Sequence, residues 1–172
     1  MFAARHEHCF RVIKPALERG DWVLCDRFTD SSYAYQGGGR GVNNSIISSL
    51  EIIAHEQIQP DLTLYFDVTV SVAQDRLRKS NRKIDGFERQ GKDFFCRVRD
   101  SFLDRSRMCP ERIRIIDADA SVQSVMARVD LEVCRFIIKT LHEHGKEIVL
   151  NTLNRDDEVE WWIPPEGNGI DR

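Results

Sequence analysis

The sequence predicts an α/β fold in which helices flank a parallel sheet. Short apolar runs of strand length alternate along the chain with longer segments whose apolar residues recur at helical spacing. Three such runs are present, at Trp22–Cys25, Leu62–Phe66 and Arg112–Asp117. Unbroken apolar runs are typical of parallel strands that are covered on both faces. Because a parallel sheet of three strands is thin and rarely stands alone, we expect a larger sheet than these runs provide.

Helical segments separate the predicted strands. Residues 2–19 form the first, in which Pro15 is expected to bend the helix or begin its final turn, and Gly20 ends it. A short helix over 31–36 leads into Gly37–Gly41, where we expect a tight turn. The later helices are predicted over 44–57, 71–80, 94–108 and from 122 to about 137. The inner face of the 44–57 helix is predicted to carry Ile46, Ile47, Leu50 and Ile53.

Composition narrows the class of protein. The chain has 172 residues, 41% of them hydrophobic, and a net charge of −3, which suits a soluble globular domain and excludes a disordered chain. The apolar runs are too short for a membrane span, and the mildly acidic balance argues against a nucleic-acid partner. The five cysteines contain no CxxC pair, and the charged N-terminus does not fit a signal peptide. We therefore predict a cytoplasmic protein with no membrane partner.

The chain divides into two parts by composition. Residues 1–144 carry the alternating strands and helices, and residues 145–172 are predicted to be an irregular, acidic tail. From 151 to 172 six acidic residues stand against two basic ones, and Pro164–Pro165 and Gly167–Gly169 oppose regular structure. The sequence assigns no role to this tail.

One pair of residues at a predicted strand end suggests phosphate chemistry. Asp26 and Arg27 follow the apolar run directly, and ligands of open α/β sheets bind beyond the carboxyl ends of the strands. A carboxylate there can act near Mg²⁺, and a guanidinium offers two parallel donors to phosphate oxygens. From these two residues alone, a surface ion pair that closes the strand is the favoured interpretation, and the neighbouring segments reverse it.

The surrounding segments carry a resemblance to a known family. Residues 26–41 have the sequence DRFTDSSYAYQGGGRG, which resembles the signature of bacterial thymidylate kinases. Five further segments occur in the family's order, namely FAAR at 2–5, VIKPAL at 12–17, PDLTLY at 60–65, DFFCRVR at 93–99 and IDA at 116–118. The resemblance covers about residues 1–140. It implies a P-loop NTPase fold of the nucleoside-monophosphate kinase type, and an enzyme that converts dTMP and ATP to dTDP and ADP with Mg²⁺.

The resemblance assigns three residues to the thymine base. Arg5 would hydrogen-bond the pyrimidine, and Phe2, one helical turn earlier, would stack on it. An ordinary core phenylalanine is the alternative for Phe2, because the family often spaces the ring and the arginine by four residues. Ser32 resembles the small polar residue that contacts the edge of the base.

The sugar and the phosphate have their own predicted partners. Arg27 would bind the dTMP phosphate, and Asp26 would organise Mg²⁺ indirectly, through its waters. Tyr35 would pack on the deoxyribose and exclude a 2′-hydroxyl, and Gln36 belongs to the same dTMP-binding motif. A ring that only fills the edge of the sheet is the alternative for Tyr35.

A basic segment follows the second strand. From Arg76 to Arg99, nine basic residues stand against three acidic ones. Between Asn81 and Lys92 the apolar pattern fails, which predicts a mobile surface loop. The family closes such a lid over ATP, which makes Arg78 and Arg82 the candidates for neutralising charge on the transferred phosphoryl group. The family commonly has Asp-Arg-Phe-Glu where residues 85–88 are Asp-Gly-Phe-Glu, which places the chemistry of the lid in question.

The family's opening elements have no counterpart in this sequence. The family begins with a strand and a glycine-rich P-loop, whereas no GxxxxGK[ST] motif occurs in this chain. The sequence therefore predicts an N-terminally incomplete kinase domain with little activity alone. Two alternatives remain, a non-catalytic remnant that retains part of a dTMP site or dimerises, and a kinase for a related nucleoside or nucleotide. The resemblance also implies a homodimer.

Overall fold

The computed structural model describes residues 1–55, 58–79 and 91–143 of the chain. Within these ranges the regular elements are α1 Phe2–His8, α2 Lys14–Glu18, α3 Thr29–Ser32, α4 Asn44–His55, β1 Thr63–Asp67, α5 Val70–Lys79, α6 Lys92–Met108, β2 Ile113–Asp117 and α7 Val122–Glu143. Two π-helical segments, Cys9–Ile13 and Tyr33–Gly39, join α1 to α2 and extend α3. The chain forms two compact units, Met1–Phe136 and Ile137–Arg172, and of the second only the end of α7 is described.

The first helical region agrees with the sequence. The backbone is helical from α1 through the Cys9–Ile13 segment to α2. Pro15 lies in the first turn of α2, so the prediction that it begins the final turn is confirmed. Gly20, with φ of +83°, ends the run.

Two of the three predicted strands form a parallel pair. β1 and β2 are in register from Thr63 opposite Ile113 to Asp67 opposite Asp117. The predicted strand Trp22–Cys25 is wrong, because this segment has no strand hydrogen bonding in the structure and Leu24 is 102% exposed. A strand needs a neighbouring backbone to accept and donate its hydrogen bonds, and an apolar run does not supply that neighbour.

The glycine cluster serves helix packing. The Tyr33–Gly39 segment packs on α6, and a Cβ on Gly38 would lie 2.6 Å from the Cβ of Ser101. A Cβ on Gly39 would lie 2.5 Å from the Phe94 ring. Only glycine therefore permits this approach. The tight turn predicted over Gly37–Gly41 is wrong for residues 37–39, which are helical, and the chain turns at Gly41, where φ is +74°.

Helix α4 presents a different face from the one predicted. α1 and the Tyr33–Gly39 segment pack against it, and its buried residues are Ile47, Ala54 and His55. The other members of the predicted inner face are exposed: Ile46 is 54%, Leu50 39% and Ile53 71% accessible. The face that packs is set by the position of the neighbouring helices and not by the most apolar side of α4.

The remaining predictions divide into those that are confirmed and those outside the described residues. Helices α5, α6 and α7 occur where their periodicity placed them. Residues 80–90, which hold most of the predicted loop, and residues 144–172, which hold the predicted tail, lie outside the described part, and the boundary at 144 stays a prediction. All five cysteines lie in the described part of the chain, and none of them forms a disulfide. No helix in the described ranges has the length and apolar character needed to cross a bilayer.

Candidate functional site

The Arg5 guanidinium is the centre of a cluster built from two distant parts of the chain. It donates from Nη1 to Ser32 Oγ at 2.9 Å and from Nη2 to the Phe28 carbonyl at 3.3 Å. Its Cζ lies 5.4 Å from the centre of the Phe2 ring and 5.6 Å from that of the Phe28 ring, both within cation–π distance. We call Phe2, Arg5, Phe28 and Ser32 the Arg5 cluster.

A buried histidine lies behind this cluster. The His55 side chain is fully buried, and its ring centre is 6.3 Å from that of Phe2 and 4.7 Å from that of Phe28. The Thr29 hydroxyl oxygen is 3.1 Å from Nδ1 of His55, which satisfies the imidazole inside the fold. Burial, and then the positive charge of Arg5, lower the pKa of His55.

Arg27 and Tyr35 form the adjoining part of the site. The Arg27 guanidinium is exposed and lies 5.2 Å from the centre of the Tyr35 ring. Arg27 has φ of +64°, and it is the one non-glycine residue with positive φ in the described ranges. An arginine gains nothing from this backbone conformation, which marks the position as a candidate functional residue.

Two further aromatic rings pack near the Tyr35 ring. Its ring centre lies 6.4 Å from Phe94 and 6.1 Å from Phe102, both on α6. Gln36 follows it, half-buried, and its carbonyl accepts the Val42 N–H at 2.9 Å. Both interpretations of Tyr35 are compatible with this packing, since the ring is only partly buried and supports Arg27 at the same time.

Asp26 is an exposed carboxylate directly before Arg27. The described residues contain no group of three or more histidine, cysteine or carboxylate side chains that could hold a metal ion. Mg²⁺ commonly keeps several waters and takes one or two carboxylates together with substrate phosphates. A single exposed carboxylate beside Arg27 therefore fits an indirect role toward Mg²⁺, and not a complete protein-built metal site.

A buried ion cluster holds the start of α3. The Asp30 carboxylate, 8% exposed, accepts from Arg112 Nη1 at 2.7 Å and from Arg105 Nη2 at 3.0 Å. The Arg105 guanidinium also lies 4.2 Å from the centre of the Tyr33 ring. Burial acts to raise the pKa of Asp30, but the hydrogen bonds and charge of Arg112, followed by those of Arg105, hold it below its ordinary value.

The carboxylates that end β1 and β2 are already paired. Arg99 makes a two-point contact with Asp67, at 2.7 Å and 2.8 Å, and Tyr65 donates to the same carboxylate at 3.2 Å. Burial, and then the charge of Asp67, raise the pKa of Tyr65. Asp117 pairs with Arg128 at 2.8 Å. These strand-end acids are structural ion pairs.

The structure describes one of the two predicted lid arginines. Arg78 is exposed and pairs with Asp75 of its own helix at 3.4 Å. Arg82 lies outside the described residues. Their predicted roles in phosphoryl transfer stay predictions.

The arrangement combines groups that suit a nucleotide. The Arg5 cluster offers flat rings, a cation and a hydroxyl, which can stack on a planar base and donate to its carbonyl oxygens. Arg27, one residue before Phe28, offers an exposed cation for an anionic group. Sequence reasoning placed Phe2, Arg5 and Ser32 together and missed Phe28, Asp30 and His55. An aromatic residue inside the polar segment that follows Asp26–Arg27 was a usable signal for Phe28, whereas Asp30 and His55 had none.

Known structures define the class of fold. The thymidylate kinase of Ehrlichia chaffeensis matches with a TM-score of 0.54 and 31% sequence identity, over 76% of this chain and 59% of the other. The fold is therefore that of the P-loop NTPase type, with a parallel sheet and flanking helices, as the sequence predicted.

Sequence comparison places the chain more narrowly. The family model described as thymidylate kinase matches residues 1–129. The thymidylate kinase of Nitrosospira multiformis is 52% identical over 131 residues, which are 76% of this chain and 63% of the relative. That of Bordetella pertussis is 51% identical over 133 residues, 77% of this chain and 64% of the relative. The chain belongs to the thymidylate kinase family, and it spans less than two thirds of the length of these relatives.

Proposed function

We propose that this chain binds dTMP in the Arg5 cluster, with the phosphate on Arg27, and serves the ATP-dependent phosphorylation of dTMP to dTDP. One observation carries the proposal. Phe2 and Arg5 converge on Ser32, 27 residues beyond Arg5 in the sequence, so that three residues expected to contact one base lie at one place. Membership of the thymidylate kinase family supports the same substrate.

The base would lie against the rings and the guanidinium. A pyrimidine has a flat apolar face for Phe2 and carbonyl oxygens for Arg5. Ser32 is buried, and its hydroxyl already accepts from Arg5, so this hydroxyl fixes the guanidinium. The deoxyribose would then face Tyr35, whose ring lies between Arg27 and the aromatic residues of α6.

The phosphate end depends on Arg27 and Asp26. A guanidinium matches phosphate oxygens with two parallel hydrogen bonds, and the Arg27 side chain is exposed on a left-handed backbone. Mg²⁺, when bound, would neutralise charge on the phosphates, with Asp26 holding its waters. Asp26 and Arg27 thus supply opposite charges at one point of the backbone.

Phosphoryl transfer requires a site for ATP. The Lys and backbone N–H groups of a GxxxxGK[ST] motif hold the β- and γ-phosphates in P-loop kinases, and these 172 residues contain no such motif. We therefore expect the chain as given to bind dTMP while forming ADP from ATP and dTMP at a negligible rate. The cytoplasmic location predicted from the unpaired cysteines belongs to the same proposal.

Calorimetric titration of the purified chain with dTMP and with thymidine tests this function. Both ligands should bind, and dTMP should bind more tightly because it adds a phosphate contact to the base contacts. A coupled assay for ADP, with host kinase removed, should give only background. Absence of dTMP binding by the folded chain would refute the proposed function, and rapid ADP formation would refute our account of its phosphate site.

Arg27→Ala should show how much the phosphate contributes to dTMP binding separately from the base. The variant loses a charge-assisted hydrogen bond of about 1.5–3 kcal/mol, so dTMP affinity should fall about 10- to 100-fold while thymidine affinity stays unchanged. Arg19→Ala is the matched control, because Arg19 is an exposed arginine whose pairing with Asp21 lies outside the site. Equal losses for nucleotide and nucleoside would show that Arg27 has a structural role only.

We also propose that the chain forms a homodimer through α4. The exposed Ile46, Leu50 and Ile53 follow one another at i, i+4 and i+7, and so form one apolar stripe on the exposed surface of α4. This stripe also favours the alternative of a dimerising module. Sedimentation should give a dimer for the wild type and a monomer for Leu50→Glu, whereas a monomeric wild type at 100 µM, roughly the range of weak homodimers, would contradict it.

A further inference from the structure

We propose that His55 is a positioning residue of the dTMP site, whose neutral imidazole holds the Phe2 and Phe28 rings in place around Arg5. The inference rests on the proposed function, since it concerns how that site is held and how its affinity changes with pH. Nothing in the resemblance pointed to this histidine.

The contacts of His55 are those of a support. Its ring is fully buried and contacts both aromatic rings that lie within cation–π distance of the Arg5 guanidinium. His55, on α4, therefore packs against two rings, Phe2 of α1 and Phe28 directly before α3. Thr29, the residue after Phe28, offers its hydroxyl oxygen to both ring nitrogens, at 3.1 Å from Nδ1 and 3.3 Å from Nε2. Protonation of His55 would therefore disturb the packing of both the Phe2 and the Phe28 ring.

The charged groups around His55 favour its neutral form. Arg5 and His6 approach it from α1, and both disfavour a positive charge on the imidazole. Glu51, on α4 itself, favours the charge, but its carboxylate already accepts from Tyr33 Oη and Gln59 Nε2, each at 2.7 Å. Phe28, directly before α3, and Thr29, its first residue, contact His55 without carrying charge. A proton on His55 would place a fully buried positive charge beside the half-buried guanidinium of Arg5, which is unfavourable unless the neighbouring side chains move.

Thymidine binding should therefore depend on pH. The nucleoside is the correct probe, because it has no phosphate and so does not titrate between pH 5 and 8. Because the pKa of His55 is lowered, we expect the dissociation constant for the wild-type chain to stay constant above about pH 6.5 and to rise about fivefold or more as the pH falls through that lowered pKa. His55→Asn keeps a hydrogen-bonding group toward Thr29 and removes the titration, so its affinity should be weaker at pH 7.5 and constant across this range.

His6 provides the matched control. It is the other imidazole near the site, and its Nδ1 donates to the Ala54 carbonyl at 3.1 Å, directly before His55. His6→Asn should retain the pH response of the wild type. Loss of the response in His6→Asn, or its survival in His55→Asn, would overturn the proposal.

An NMR titration keeps the test independent of any variant. Because a ligand that prefers the neutral imidazole must lower the proton affinity of that imidazole, bound thymidine should shift the midpoint of the His55 ring signals to lower pH. An unchanged His55 midpoint in the presence of bound thymidine would refute the positioning role and leave the proposed function intact. If thymidine fails to bind at pH 7.5, the proposed function itself fails, and the inference fails with it.

Discussion

Replacing Asp30 by alanine should destabilise the chain by about 3–5 kcal/mol, because it leaves two buried guanidiniums without a counter-charge. Arg105 and Arg112 keep only 17% and 16% of their side chains exposed, so water cannot replace the lost carboxylate. Since small proteins are stable by only about 5–15 kcal/mol, this change removes a large share of the total. Urea unfolding of the wild type and the variant gives the difference directly.

Helix α6, which carries Arg105, also supplies the control for the Asp30→Ala experiment. Asp104 pairs with Arg107 at 2.6 Å, but both side chains are about seventy per cent exposed. Asp104→Ala should therefore change the free energy of unfolding by about 0–1 kcal/mol. Similar losses of unfolding free energy in Asp30→Ala and Asp104→Ala would show that burial does not determine how much the ion pairs of Asp30 contribute to stability.

Acid should remove the Asp30 contribution progressively. The folded-state pKa of Asp30 is lowered, so the unfolded chain binds its proton first as the pH falls. The stabilisation is complete above the ordinary carboxyl pKa of about 4 and is lost as the pH falls from there through the folded-state pKa. In Asp30→Asn the unfolding free energy should lack this component, which pH-dependent urea midpoints would reveal.

Phe94→Ala should cost about 3–5 kcal/mol of stability, the usual range for truncating a buried phenylalanine. Phe94 is 7% exposed, forms the core with Ala34 and Val98, and occupies the space opposite Gly39 that a Cβ would fill. Its ring also supports Tyr35, so the variant should bind dTMP more weakly than its remaining stability explains.

Phe66→Ala is the comparison for Phe94. Phe66 lies on β1 and is 48% exposed, so its truncation removes little buried area. Thermal unfolding should separate the two variants clearly, and Phe94→Leu should recover part of the loss. A Phe94→Ala protein as stable as the wild type would contradict the packing described here.

Local patterns predicted the elements that depend on local chemistry. The helices α5, α6 and α7 follow from apolar periodicity, and Pro15 and Gly20 act where their backbone preferences require. The convergence of Phe2 and Arg5 on Ser32 was also accessible, because a family resemblance carries long-range contacts that composition does not.

The wrong predictions concern residues whose environment depends on contacts with another segment of the chain. Trp22–Cys25 has the composition of a strand, but a strand exists only beside another one. Ile46, Leu50 and Ile53 have the composition of a buried face, yet α4 packs through Ile47 and His55. Asp30 is one of many acidic residues in the sequence, and nothing local distinguishes the one that meets two arginines. Each error arose where a residue's environment is set by a segment far away in the chain.

The Asp30 cluster also constrains the order in which the molecule can mature during synthesis. Its partners follow 75 and 82 residues later in the chain. A nascent chain therefore exposes Asp30, Ser32 and Tyr35 long before either arginine has been made, at synthesis rates of about 5–20 residues per second. The helical segment that carries these residues has no counter-ion and no α6 to pack on during that interval. The proposed dTMP site should thus become rigid only once translation has passed Arg112, late in the production of the chain.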